Sequence, residues 1–421
     1  MQPTVSTSQT AIPPFWPAVT DNADALGVER RLLLDLMLRH VRLSGAASLR
    51  SLSRTMRLSV PVVESLFHQL RQQQLIDVEG MTGDDYSFRL TARGRDMAVQ
   101  PGPLGQYAGP APVSIEEYYK LTKQQAARIA LTRAKLKRSF ADLVLPDDLL
   151  DQIGPAFISH KSIFIYGPTG NGKTSVAERL VRLYDDSIVM PYAVLAAGHV
   201  ITVFDPVVHE ALPISDENYD QRWVPCRRPC VMVGGELSAS MLELRVEEST
   251  GVCAAPLQMK ANNGIFIIDD FGRQLLSPRD LLNRWIVPLD RRVDYLTLSH
   301  GVKFQIPFEL LVIFSTNLDP YDLADEAFLR RIHTKVYVGP VSESDFDEIY
   351  RRTAEGRNLP FDPDAAAFLR SICVQYGPLR ACYPNDICEV MLSICKYEGR
   401  EPGATAADLE RATGLYFAKT R

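Results

Sequence analysis

Apolar positions along the chain change their period several times, and each change marks an element. Between Arg30 and Gln74 the stretches RRLLLDLMLRHVRL, SLRSLSRTMRL and VPVVESLFHQLRQQQ carry apolar residues at helical spacing, with Pro61 near the first turn of the third. LIDVEG and YSFRLT then alternate as two strands around the turn MTGDD, and ARGRDMA closes the unit. A Pro/Gly-rich stretch, PGPLGQYAGPAPVS, interrupts the pattern and predicts a boundary. Beyond it IEEYYKLTKQQAARIALTRAKLKRSF predicts one long basic helix, and the short runs SIFIY, GIFIID and ELLVIFST predict buried strands separated by helical segments. VDYLTLSHGVKFQIP alternates on both sides of SHG and predicts a β-hairpin just before the last of these strands.

Composition narrows the class. A chain of 421 residues with 46% hydrophobic and 23% charged residues has room for two or three domains and a sizeable core. No apolar run approaches the roughly 18 residues of a membrane span. The start, MQPTVSTSQTAIPPFWP, lacks the basic and apolar regions of a secretory signal, so a cytoplasmic protein is expected. Seven cysteines without framework spacing fit free thiols, with CRRPC at Cys226 and Cys230 too isolated for a zinc site. The histidines show no HExxH or paired-ligand spacing, so no histidine-held catalytic metal is expected. A net charge of −5 offers no global attraction to nucleic acid, so any such contact must be local.

Candidate chemistry centres on SIFIYGPTGNGKT, residues 162–174. Strand, glycine loop and helix follow one another as a phosphate-binding loop requires. Gly167, Pro168, Thr169, Gly170, Asn171, Gly172, Lys173, Thr174 and Ser175 form the candidate cradle. Glycines let backbone N–H groups turn toward phosphate, and Lys173 adds a point charge. The Thr174 hydroxyl is placed to hold Mg²⁺. In GIFIIDDF the strand ends in two acids: Asp269 for the metal, Asp270 to orient or deprotonate water. ELLVIFSTNLDP ends a second buried strand on Asn317, a candidate contact to the terminal phosphate or the water. DEAFLRRIHTKVYV carries the paired Arg330 and Arg331 at a helix end, where they can cap the last carbonyls.

Two resemblances follow from these motifs. The helix and hairpin order of residues 28–100 resembles a winged helix-turn-helix domain. Its arginines only slightly outnumber its acids, so DNA binding through Arg71, Arg89, Arg93 and Arg95, and protein contact, both stay open. From about Lys135 onward the chain resembles an AAA+ ATPase: GPTGNGKT, IFIIDD, FSTN and LRRI match Walker A, Walker B, sensor 1 and the arginine finger in order. The hairpin before sensor 1 resembles the superclade with that insertion, and GELSASMLELRVEESTGVCAAPLQMKANNG resembles the interrupted second helix of MoxR-like members.

The resemblance implies an α/β fold, a P-loop NTPase αβα core with a small C-terminal helical lid, preceded by the winged domain. The expected organisation is a disordered tail (1–27), winged helix (28–100), linker (101–115), basic connecting helix (116–139), ATPase core (140–340) and lid (341–421). It further implies ATP and Mg²⁺ as cofactors and hydrolysis of ATP to ADP and phosphate. A homo-oligomeric ring, of six by resemblance, would remodel a protein or nucleoprotein partner, with Arg331 the preferred finger and Arg330 the near alternative. The rival is a DNA-associated regulator that uses ATP as a conformational switch. Two departures stand out. Asp270 replaces the family's Glu and shortens the reach to water by roughly 1 Å, enough to slow turnover. In the lid, Pro384, Asn385 and Asp386 occupy the place of the sensor 2 arginine, leaving Arg380 or no residue for that role.

Overall fold

The computed structural model describes residues 16–83, 85–100, 105–126, 130–213, 218–247, 250–298, 301–323 and 326–417. At its centre lie five parallel strands, here β1 (Ile163–Tyr166), β2 (Cys230–Val233), β3 (Ile265–Ile268), β4 (Leu311–Thr316) and β5 (Thr334–Tyr337). They are ordered β2-β3-β4-β1-β5, with Ile268 beside Phe314 and Thr316 beside Tyr166. The middle strands are apolar throughout because both faces are covered. Ile163, Ile165, Ile265, Ile267 and Ile313 meet helices Asp147–Ser159 and Lys173–Arg179, whereas Phe164, Phe266, Val312 and Phe314 share the opposite core with Trp285 of helix Pro278–Arg291. This is an αβα P-loop NTPase core. Because β4 lies between β1 and β3, a crevice opens at the carboxyl ends of the strands, where the sequence motifs gather.

Four helices, Glu343–Gly356, Pro363–Gln375, Tyr383–Glu398 and Ala406–Tyr416, form the C-terminal lid around a core of their own that includes Phe346, Leu369 and Met391. The amino-terminal unit contains helices Arg30–Ser44, Leu49–Met56 and Val60–Gln72. Its antiparallel sheet places Asp85–Leu90 between Ala46–Ser48 and Ile76–Thr82. The hairpin before β4 pairs Val293–Thr297 with Lys303–Pro307, while Ser299 and His300 lie outside the described residues.

Three expectations change. A disordered tail through residue 27 does not hold for residues 16–27. Trp16 packs edge-on against Tyr219, Ala18 bridges Tyr219, and Ala23 and Leu26 are buried with the amino-terminal helices. The single basic helix is two, Ile115–Gln124 and Arg133–Ser139, with residues 127–129 outside the description. Ser114 and Glu117 form a capping box on the first, and Thr132 accepts from the Lys135 amide to start the second. Four of their cations are paired within the chain: Lys123 with Glu309, Lys135 with Asp185, Lys137 with Asp147, Arg133 with Asp151. The described part of the Pro/Gly stretch, from residue 105 on, is packed as well, since Ala111 is buried and donates to Met56, and Gly109 meets His40.

Unforeseen from the sequence is a second five-stranded sheet. It joins Val113–Ser114, Ala193–Ala196, His199–Thr202, Cys253–Ala254 and Arg245–Val246. Ala193 and Val200 join the core of the amino-terminal unit, and Val194 and Ile201 join the other, so alternation along short strands seats that unit on the ATPase core. A ribbon of Ser187–Pro191 with Trp223–Arg227 runs beside it.

Below the sheet, at the amino ends of its strands, His160 meets the Tyr184 hydroxyl at 3.0 Å and its carbonyl accepts from Arg292. Burial first, then Arg292 and Arg228, push its pKa down to about 3 from 6.5. As pH falls through 6.5 the unfolded chain takes up a proton that the folded chain refuses. Stability present in full above 6.5 is therefore lost progressively toward 3. His160 has φ of 47°, which asparagine tolerates. We expect His160→Asn to flatten the fall in melting temperature between about pH 7 and pH 5. An unchanged fall would remove His160 as a cause.

Candidate nucleotide site

The loop after β1 takes its shape from glycines that no other residue could replace in place. At Gly167, φ is 138° and an added Cβ would lie 2.2 Å from the Val338 carbonyl oxygen. At Gly170, φ is 82° and the same atom would meet Cys382 Sγ at 2.7 Å. Lys173, 6% exposed, opens the following helix. Its Nζ donates to the Gly167 and Pro168 carbonyls at 2.9 Å each and to Asn317 Oδ1 at 2.5 Å. Burial lowers the Lys173 pKa, opposed by Asp269 and Asp270.

Residues far apart in sequence meet here. Thr174 Oγ1 donates to both Asp269 oxygens, at 2.8 and 3.0 Å. Asn317 Nδ2 donates to Asp270 Oδ1 at 3.1 Å, so Asn317 bridges Lys173 and the second acid. Asp270 is exposed just beyond β3, with φ of 48°. That left-handed conformation turns the chain sharply, and the Phe271 amide then donates to the Ser315 carbonyl at 2.7 Å. An oxygen-only set of hydroxyl and carboxylate suits a hard divalent cation, so Thr174 and Asp269 fit Mg²⁺.

Arg330 and Arg331 stand elsewhere. The Ser162 hydroxyl, just before β1, donates to the Arg331 carbonyl at 3.2 Å, which places both arginines at the amino ends of the strands. The length of β1, on the order of 13 Å, separates that end from the glycine loop. Arg331 Nε reaches Asp290 at 3.0 Å, and Arg330 pairs with Glu326 at 2.7 Å. Ile332 beside them is fully buried and anchors the turn.

A cavity of about 440 Å³ continues from the loop. Leu143, Val144 and Leu145 line one side, Ile349 and Thr353 of the lid another, and Gly170, Asn171 and Ser175 its floor. Sequence reasoning missed these walls; the apolar run LVLP before helix Asp147–Ser159 was the available signal. The lid touches the loop directly, for the Cys382 amide donates to the Gly170 carbonyl at 2.9 Å. Arg380 leans on the loop with its guanidinium over the Tyr383 ring.

A family model described as a domain of unknown function (DUF8689) matches residues 342–414, the lid helices. Among curated protein sequences nothing matches. Solved structures with similarity include the Holliday junction branch migration motor RuvB of Thermotoga maritima. It is 11% identical, with 69% of this chain and 72% of that one covered, at a TM-score of 0.36. An arginine-to-alanine variant of the same protein is 12% identical over 66% and 72%, at 0.38. The fold is read from strand order and from the loop's position on it. Strand order and the glycine loop give the chain a P-loop NTPase type of core, with a helical lid beside it.

Proposed function

We propose that this chain is an AAA+ ATPase that binds ATP with Mg²⁺ between core and lid and hydrolyses it in an assembly of identical subunits. The observation that carries the reading is the convergence of Lys173, Thr174, Asp269, Asp270 and Asn317 at the carboxyl ends of three adjacent parallel strands. Gly167 to Ser175 cradle the phosphates, and the apolar walls around Leu143 and Ile349 take the base. Mg²⁺, held by Thr174 and Asp269, would neutralise phosphate charge. Asp270 accepts a hydrogen bond from the attacking water, and Asn317 holds that carboxylate while contacting Lys173. Because Arg331 lies a strand's length from its own loop, it serves a neighbouring subunit, with Arg330 beside it as the alternative finger.

The decisive measurement is turnover against protein concentration. Specific activity should rise as subunits assemble and fall by 10³-fold or more, on the order of an arginine finger's worth, in Arg331→Ala. Activity independent of both would leave Arg331 a structural partner of Asp290. Asp270→Asn should abolish turnover while ATP binding persists; retained turnover would remove the base assignment.

A second reading takes ATP as a conformational ligand for a DNA-associated regulator. The shortened acid, tied to Asn317 at 3.1 Å, favours it. Residues 28–100 read as a winged helix in either case. The third helix, Val60–Gln72, exposes Glu64 and His68, which face each other at 3.7 Å, and Ser65 and Gln69 are engaged by Arg30. Such a face suits a protein partner better than phosphate.

A further inference from the structure

The Asp270 side chain turns on only two torsions, so the place of its carboxylate is set largely by the backbone that carries it. That backbone is unusual. Its φ of 48° lies in the left-handed region, which a residue other than glycine holds where its surroundings over-determine it. Here the Gln274 side chain bridges the turn. Its Oε1 accepts from the Gly272 amide and its Nε2 donates to the Asp269 carbonyl, each at 2.8 Å. An amide N–H only donates and a carbonyl only accepts, so these two partners fix which way the Gln274 amide points. Between them the Phe271 amide donates to the Ser315 carbonyl at 2.7 Å, and the Phe271 carbonyl accepts from Thr316 Oγ1 at 2.7 Å.

The peptide groups that follow Asp269 are thus held one after another. Gln274 takes the first, at the Asp269 carbonyl, and shares the third, at the Gly272 amide, while β4 takes the second. Gln274 is itself anchored, because the next two amides, of Leu275 and Leu276, donate to the Gly235 and Leu237 carbonyls at 3.1 and 3.0 Å. We propose that Gln274 is a positioning residue for hydrolysis: by gripping the main chain on both sides of Asp270 it holds the carboxylate where the attacking water is to be met. The inference rests on the reading of Asp270 given above and adds to it the residue that keeps so short an acid in place. Asn317 acts differently, on the carboxylate itself, at 3.1 Å. A misplacement of about 1 Å at such a group costs on the order of 10²-fold in rate, so a bridge of two hydrogen bonds has a measurable consequence.

The test uses the full-length protein. Gln274→Met keeps the length and bulk of glutamine and neither of its hydrogen-bonding groups. Without ligand, hydrogen exchange at the Gly272 amide should be about tenfold faster or more in this variant. Its kcat, from steady-state phosphate release, should fall by about 10- to 100-fold, with the affinity for a fluorescent ATP analogue and Mg²⁺ within about twofold of wild type. Gln274→Glu adds a signature that lost packing does not produce. Its carboxyl group accepts from Gly272 in either protonation state, but only the protonated acid donates to the Asp269 carbonyl. The ratio of its kcat to that of wild type should therefore rise severalfold as pH falls from about 8 to about 5.5, toward the usual glutamate range, while the ratio for Gln274→Met stays level. Gln274→Glu also serves where the methionine variant fails to fold. Wild-type kcat or unchanged Gly272 exchange in Gln274→Met overturns the inference alone. So does a loss of affinity as large as the loss of kcat, or a ratio that stays level with pH in both variants. A wild-type protein that binds the analogue without releasing phosphate, or binds none, overturns the hydrolytic reading and the inference with it.

Discussion

Lys173→Ala is expected to abolish ATP turnover, with a loss on the order of 10²- to 10³-fold or more, as when a single preorganised donor is removed from a charge-stabilising site. The Lys173 ammonium is held by two loop carbonyls and by Asn317, so it stands ready-made where phosphate charge is to be met. Its burial lowers its pKa while Asp269 and Asp270 act to keep it charged. Removing it leaves the Asn317 carbonyl and both loop carbonyls without their donor, and leaves two carboxylates facing incoming phosphate with no compensating cation. Arginine is no rescue, because the planar fork cannot occupy the space of a compact ammonium capped by three oxygens. Steady-state phosphate release and binding of a fluorescent ATP analogue measure the effect. Wild-type turnover in Lys173→Ala would place the reacting phosphate somewhere other than this loop.

The second large effect falls on stability. Arg222→Leu should lower stability by about 3–5 kcal/mol, the range for breaking a buried ion pair from one side. Arg222 is 2% exposed and Asp220 7%. The guanidinium donates twice to Asp220, at 2.7 and 3.0 Å, and its Nη1 reaches the carbonyls of Leu26 and Pro112 at 3.0 and 3.2 Å. One side chain therefore ties the segment before the first long helix, the end of the linker and the Trp223–Arg227 ribbon together. Leucine would leave a buried carboxylate without its cation, held only, among the described residues, by the main-chain amide of residue 222, and two carbonyls without the Arg222 donor. Urea unfolding of Arg222→Leu, Asp220→Leu and the double variant forms a cycle that isolates the pair, with the double variant expected to recover part of the loss. A single variant within about 0.5 kcal/mol of wild type would mean that the segment is not anchored there.

Local chemistry was the legible part of this molecule. GPTGNGKT, IFIIDD and FSTN each combine a short apolar strand with an ending that serves no packing purpose, and the structure links Lys173, Asn317 and Asp270 by hydrogen bonds and sets Asp269 on Thr174, the residue after Lys173. The hairpin at Val293–Thr297 and Lys303–Pro307 was legible for the same reason, since alternation and a turn are local properties. The second sheet was not. Strands as short as Val113–Ser114 or Cys253–Ala254 leave no periodic trace, and they exist because partners distant in sequence complete their hydrogen bonds. The basic run was legible as helix but not as two helices, nor were the acids that pair Lys123, Lys135, Lys137 and Arg133 within the chain, Glu309, Asp185, Asp147 and Asp151.

Residue order alone thus specified the glycine loop, the two acids and the strands Ile163–Tyr166, Ile265–Ile268 and Leu311–Thr316, because each depends on neighbours within a dozen residues, whereas Cys230–Val233 left no such signal. Folding in three dimensions settled the rest. It put Arg331 at the far end of β1 from the loop, tied the Leu26 carbonyl to Arg222, and laid Ala381 and Cys382 on Asn171 and Gly170. Those outcomes hang on contacts across a hundred residues or more of chain, which only the order of strands in the sheet and the burial of their charges and amides can select.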